Sequence, residues 1–177
     1  MIPKSGNRFS DKIMRNEKMF TNSLTEKLAD FVRGIGIDVR EAELPEPTFL
    51  PGLDIRHGAI LVDEARLSYP GDLLHEAGHI AVAEPAERAQ VALAPTPGDE
   101  MATLAWSYAA LRHLDLTPEV VFHADGYKGG AQALIDAFAG GGNPGVPLLA
   151  YYGMTVEPKF AAARGVEPFP HMLRWLR

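Results

Sequence analysis

Residues 70–85, PGDLLHEAGHIAVAEP, carry the pattern that decides the fold around them. Pro70 opens a helical pattern and Pro85 closes it about four turns later, because proline is tolerated in the first turn of a helix but breaks its interior. The apolar positions between them recur on adjoining turns, at Leu73, Leu74, Ala77, Ile80 and Ala81. This spacing predicts a helix between the two prolines, with one face packed against a core.

The same helix carries the spacing HExxH, with His75, Glu76 and His79. Residues at i and i+4 project from one face a turn apart, so both imidazoles can reach one ion. Glu76 lies about 100° around the helix from His75, which lets its carboxylate reach a metal-bound water without ligating the metal. The motif therefore predicts His75 and His79 as metal ligands and Glu76 as the catalytic base.

Composition narrows the class of protein and the kind of metal site. The chain has no cysteine, which excludes disulfides and a thiolate site and leaves His and carboxylate ligands, as in many zinc enzymes. The net charge of −6 argues against nucleic-acid binding, and no uncharged apolar run is long enough to cross a bilayer. We expect a Zn²⁺ protein of the cytoplasm with neither a nucleic-acid nor a membrane partner, and the sequence does not indicate its oligomeric state.

A catalytic zinc usually has three protein ligands and an open fourth position, so a third ligand is needed. Residues 94–98, APTPG, break the chain, and residues 100–114 then follow a helical pattern with Met101 on its apolar side. If this helix packs antiparallel to the first, Glu100 at its start reaches the metal. A first-turn glutamate is also favoured by the helix dipole alone. The ranking is Glu100, then His123, then Asp99.

The remaining segments predict a single domain over residues 21–177, preceded by a flexible, charged arm over residues 1–20. Residues 23–26, SLTE, fit a capping box and predict a helix near 23–34. Strands are predicted near 53–55 and 58–63, and a further helix over 131–138. Residues 146–177 mix proline, aromatic and aliphatic residues, and we expect short helices there.

The stretch from Gly58 to His79, a strand GAILVDE followed by GDLLHEAGH, resembles the gluzincin metallopeptidases, in particular the compact ImmA/IrrE-type family. The resemblance covers roughly residues 58–108. Metzincins are excluded, since they require Gly and His where this chain has Val82 and Pro85. The resemblance implies an α+β, minigluzincin-like domain, in which a small sheet packs on the HExxH helix, a second helix carries a ligand, and the C-terminal region is helical.

The same resemblance implies a zinc site of His75, His79 and Glu100, and an edge strand over residues 59–63 that pairs with an extended substrate. The gluzincin pattern often continues Glu-x-x-x-Asp, whereas Glu100 is followed by Met-Ala-Thr-Leu. The resemblance therefore does not indicate which residue would hydrogen-bond to the metal-ligating side chains and orient them.

The function predicted from these residues is zinc-dependent hydrolysis of an amide bond in a peptide or protein substrate. Zinc lowers the pKa of its bound water, Glu76 accepts the proton, and the hydroxide attacks the carbonyl. Tyr127 lies among glycines in the polar stretch 123–128 and is a candidate donor to the oxyanion, with His123 as another. The alternative is a catalytically silent regulatory or interaction protein that retains the HExxH zinc site.

Overall fold

A computed structural model describes residues 19–45, 47–90 and 92–177 and shows an α+β fold, with a small mixed sheet and six α-helices in the described residues. The elements, in chain order, are α1 (Ser23–Gly34), β1 (Asp38–Glu41), β2 (Leu53–Arg56), β3 (Ala59–Val62), α2 (Asp72–Val82), α3 (Pro97–His113), α4 (Ala131–Ala139), α5 (Val146–Tyr151) and α6 (Pro158–Arg164). Two short 3₁₀ helices cover Pro118–Val120 and Tyr127–Gly129. None of the described helices combines the length and the apolar character that a membrane span requires.

The sheet has the strand order β1-β3-β2, with β1 parallel and β2 antiparallel to β3. A two-residue turn joins β2 to β3, and both His57 and Gly58 take the positive φ typical of such hairpins. The two predicted strands are confirmed, whereas β1 was missed because only Val39 of its four residues is buried. The prediction that residues 59–63 form an edge strand is wrong. Once β1 pairs with β3, β3 becomes the central strand and β2 becomes the edge.

Helix α1 has the predicted bounds, but its cap differs from the prediction. The side chain of Asn22, and not of Ser23, accepts hydrogen bonds from Leu24 N at 2.9 Å and Thr25 N at 3.1 Å. Glu26 accepts from Phe20 N, upstream of the helix. Phe20 is buried in the core although it falls in the predicted arm, whose residues 1–18 lie outside the described residues. The division into an arm and one domain stays a prediction.

Helix α3 begins earlier than predicted because Thr96 caps it and Asp99 completes a capping box. Thr96 Oγ1 accepts from Asp99 N, and the carboxylate of Asp99 accepts from Thr96 N. Met101, predicted on the buried side, is 39% exposed, whereas Trp106 is fully buried. Trp106 is buried because its ring packs against Phe31 of α1 and Trp175, so the buried surface of α3 is wider than one stripe.

Helices α2 and α3 pack antiparallel and in close contact at Gly78. Ser107 lies next to Leu74 near the start of α2, and Thr103 lies next to His79 near its end. Gly78 permits this approach, because a Cβ at that position would lie 2.8 Å from Thr103 Cγ2 and 3.3 Å from Trp106 Cε3. The glycine, which is unfavourable inside a helix, therefore serves the packing of side chains from α3.

The end of the chain returns to the C-terminus of α2. Arg177 N donates to Ala81 O at 2.9 Å, and the guanidinium of Arg88 donates to Arg177 O at 2.6 Å. Trp106 Nε1 donates to Trp175 O at 3.0 Å. The bond to Ala81 O satisfies a carbonyl in the last turn of α2, which has no intrahelical partner. Together the three bonds anchor the C-terminal residues to α3 and to the end of α2.

We expect Gly78→Ala to lower the free energy of unfolding by about 1–3 kcal/mol, because the added methyl overpacks the α2–α3 contact. Gly34→Ala is the matched control, since nothing lies within 4 Å of a Cβ there. That substitution should change stability by no more than about 1 kcal/mol, in the stabilising direction. Urea denaturation of both variants checks this, and equal effects at the two glycines would contradict it.

Candidate metal centre

The helix pair brings His75, His79 and Glu100 together. The two Nε2 atoms lie 3.1 Å apart, and the Glu100 carboxylate oxygens lie 3.8 Å from His75 Nε2 and 3.7 Å from His79 Nε2. Three ligands at 2.0–2.1 Å from a tetrahedral zinc are separated by about 3.3–3.4 Å. The observed separations lie on both sides of that value, so small side-chain shifts suffice to hold one ion. These residues form the one cluster with metal-ligand spacing in the part of the chain that the structure describes.

The two alternatives to Glu100 are engaged elsewhere. Asp99 accepts hydrogen bonds from Thr96 in the cap of α3. His123 Nε2 lies 3.0 Å from Asp72 Oδ1, and its Nδ1 is buried without a hydrogen-bond partner among the described residues. Neither side chain belongs to the cluster, so the geometry favours Glu100 as the third ligand.

Two hydroxyl groups lie behind the imidazoles. Thr103 Oγ1 lies 3.3 Å from His79 Nδ1, and Tyr127 Oη lies 3.5 Å from His75 Nδ1. If each Nδ1–H donates to its hydroxyl, each Nε2 keeps the lone pair that binds a metal. Thr103 was not predicted to contact the site, although its place three residues after Glu100 on one helix indicates a shared face. Tyr127, predicted to bind an oxyanion, has its hydroxyl beside His75.

Burial shifts the pKa values of the three side chains of the HExxH motif. It lowers the pKa of His75 to about 3, with the neighbouring His79 adding to the effect, and it also lowers the pKa of His79. Both imidazoles are therefore neutral at pH 7, as a ligand must be. Burial raises the pKa of Glu76, and together with the nearby carboxylates of Asp72, Glu100 and Asp54 it brings that pKa to about 8. A divalent cation beside Glu76 would favour its ionised form.

Two cavities adjoin at the cluster. The larger, of about 570 Å³, extends between the loop around Tyr69 and the stretch 123–128. The smaller, of about 340 Å³, runs along edge strand β2 and is lined by Glu76. Four residues line both cavities, namely Phe49, Leu50, His79 and Glu100. The cluster therefore lies at the junction of a two-sided cleft.

Side chains that contact one another form the outer wall of the larger cavity. The rings of Tyr69 and His123 stack with centroids 3.6 Å apart, while His123 pairs with Asp72 on α2. The hydroxyl of Tyr69 donates to Asp125. These contacts fix the loop that carries Tyr127, which itself adopts the positive φ that non-glycine residues rarely take. No sequence motif predicts this wall, because its members come from two segments, 69–72 and 123–127, that are distant in the chain.

We expect Glu76→Gln to stabilise the metal-free protein increasingly as pH rises. The pKa of Glu76 is about 8 in the folded protein, against 4.5 for an unperturbed glutamate. As pH rises from about 4.5 the unfolded chain loses this proton first, so the free energy of unfolding falls, and the loss is complete above about pH 8. The stability difference between variant and wild type should therefore grow by about 1–3 kcal/mol between pH 5 and pH 9. Urea denaturation of chelator-treated protein measures it. A difference that does not vary with pH would contradict the buried acid.

We expect Glu100→Ala to weaken zinc binding at least about 100-fold, because it removes the carboxylate 3.7–3.8 Å from both imidazoles. His123→Ala should retain zinc, because that imidazole is paired with Asp72. Competition with a chromophoric chelator and elemental mass spectrometry measure affinity and content. Loss of zinc in His123→Ala with retention in Glu100→Ala would reverse the assignment.

No protein-family model, curated protein or solved structure matches this chain. The resemblance to gluzincins of the ImmA/IrrE type therefore rests on the residues of the motif and its flanking strand, and it stays a prediction.

Proposed function

We propose that this protein hydrolyses peptide bonds with a zinc ion held by His75, His79 and Glu100. The observation that carries the proposal is the position of this cluster at the junction of a two-sided cleft, with Glu76 lining one side. A bound zinc ion would supply Lewis acidity, which lowers the pKa of water and polarises a carbonyl. The chain's own side chains supply the remaining parts of the reaction.

Glu76 is the proposed general base. Its carboxylate is half-buried and lines the same cavity as His79 and Glu100, so it can take a proton from the attacking water and pass it to the leaving amine. The pKa of Glu76 is about 8 without a cation, and a bound zinc ion would lower it and favour the ionised carboxylate that accepts the proton. Thr103 and Tyr127 hold the two imidazoles in the orientation that the reaction needs.

Edge strand β2 supports a polypeptide as the substrate. Leu53, Asp54 and Ile55 line the smaller cavity beside Glu76, and among the described strands β2 pairs with β3 alone. An extended peptide can add to such an edge through main-chain hydrogen bonds, which would present its carbonyl to the cluster. The role that the resemblance assigned to residues 59–63 thus fits β2 instead.

We expect Glu76→Gln to keep stoichiometric zinc and to lose hydrolysis by roughly 10²–10⁴-fold, the usual contribution of a general base. Zinc-loaded wild type and variant are incubated with a proteome-derived peptide mixture, and new termini are counted by mass spectrometry. Glu119→Gln is the control, because Glu119 is exposed and lines neither cavity. If zinc-loaded wild type generates no new termini, the catalytically silent zinc protein becomes the better account.

A further inference from the structure

Phe49 is the most exposed large apolar side chain among the described residues, and it lies at the junction of the two cavities. It is 99% exposed and lines both of them, next to His79 and Glu100. Single exposed apolar residues are common on protein surfaces. Phe49, however, adjoins Leu50 and the other apolar residues that line the two cavities, so its ring extends an apolar surface beside the cluster.

The loop that presents Phe49 is held in place. Thr48 Oγ1 donates to Leu50 O at 2.6 Å across Phe49, and Leu50 forms a β-bridge with Leu53. Gly52 has φ of 76°, and a Cβ there would lie 2.6 Å from Leu67 N, so the loop packs tightly on the segment that follows β3. The exposed ring is therefore displayed by an ordered turn.

The two cavities share an apolar and acidic character. The smaller one is lined mainly by apolar side chains, and its charged residues are the carboxylates Asp54, Glu76 and Glu100. The larger one adds Asp72 and Asp125, with Lys128 as the single Lys or Arg among its described lining residues. In the smaller cavity Asp54 is paired with Arg56 at 2.7 Å, and a divalent cation at the cluster would offset Glu76 and Glu100. The remaining excess of carboxylates, Asp72 and Asp125 against Lys128, lies in the larger cavity, which therefore repels acidic side chains and attracts basic ones.

We propose that this cleft selects extended peptides that carry an apolar side chain next to a lysine or arginine, and that Phe49 is the residue that recognises the apolar side chain. The inference rests on the proposed function, in that the occupant is a peptide. The apolar side chain packs on Phe49, Leu50 and Ile55, which removes the exposed ring from water. The basic side chain lies in the larger cavity beside Asp72 and Asp125, and acidic peptides are excluded by like charge and by the cost of desolvation.

The test uses zinc-loaded Glu76→Gln protein, which can bind without cleaving, immobilised on resin. A degenerate decapeptide mixture without His or Cys, which would bind the metal directly, is passed over it, and retained peptides are identified by mass spectrometry. Phe49→Ala is introduced in the same background. Tyr151→Ala is the matched control, because Tyr151 is 83% exposed and lines neither cavity.

We expect retained peptides to be enriched in Leu, Ile, Met or Phe together with Lys or Arg, and depleted in Asp and Glu. Phe49→Ala should reduce the apolar enrichment about five- to tenfold and leave the preference for basic residues, whereas Tyr151→Ala should change neither. Random retention, enrichment of acidic peptides, or an apolar preference that survives Phe49→Ala would overturn the inference.

The same mixture, incubated with zinc-loaded wild type, separates this inference from the proposed function. Cleavage of peptides without the Phe49-dependent preference would overturn the inference and leave hydrolysis standing. Selective, Phe49-dependent retention without cleavage by wild type would support the inference and overturn hydrolysis, leaving a protein that binds peptides at a zinc site.

Discussion

The close contact between α2 and α3 at Gly78 is the constraint on which the candidate site depends. Without a side chain at Gly78, Thr103 and Trp106 pack directly against the backbone of α2. The same approach brings Glu100, one turn earlier on α3, to within 4 Å of His75 and His79. A wider helix pair would leave the carboxylate too far from the imidazoles to share one ion. The packing of a buried tryptophan and the geometry of the site are therefore set by one interhelical distance.

The candidate site places polar and acidic side chains close together at an electrostatic cost. The buried His79 and the half-buried His75 are kept neutral, and the half-buried Glu76 lies near the carboxylates of Asp54, Asp72 and Glu100. Burial of such groups is tolerated when another interaction compensates for it, and a divalent cation would compensate several of them at once. Electrostatic costs of this kind are common at functional sites, which are often less stable than the surrounding structure. The capped α3 and the C-terminal residues bound to α2 supply stability around it.

The cleft is assembled from segments far apart in the chain. The loop 48–52 supplies its apolar rim, the helix pair supplies the cluster, and the stretch 123–128 supplies the opposite wall. The pairing of Asp72 with His123 ties that wall to α2, close to the motif. The charge of the cleft and the place of Phe49 beside it arise only where these segments meet, which is why the HExxH motif indicates candidate metal ligands but not the character of the cleft.

The sequence by itself determined the local features: α2 with its HExxH residues, the strands β2 and β3, the bounds of α1 and the exclusion of thiolate ligands. These features depend on i to i+4 spacing, strand propensity and residue type, which act within a few residues. Glu100 was ranked first from an assumed antiparallel helix pair, and the structure has that pair. Only the tertiary structure decided that β2 is the edge strand, that His123 is paired with Asp72, that Thr103 lies behind His79 and that Phe49 lies beside the cluster. Each of these depends on contacts between residues distant in the chain, whose distances are set by packing and cannot be read from local sequence pattern.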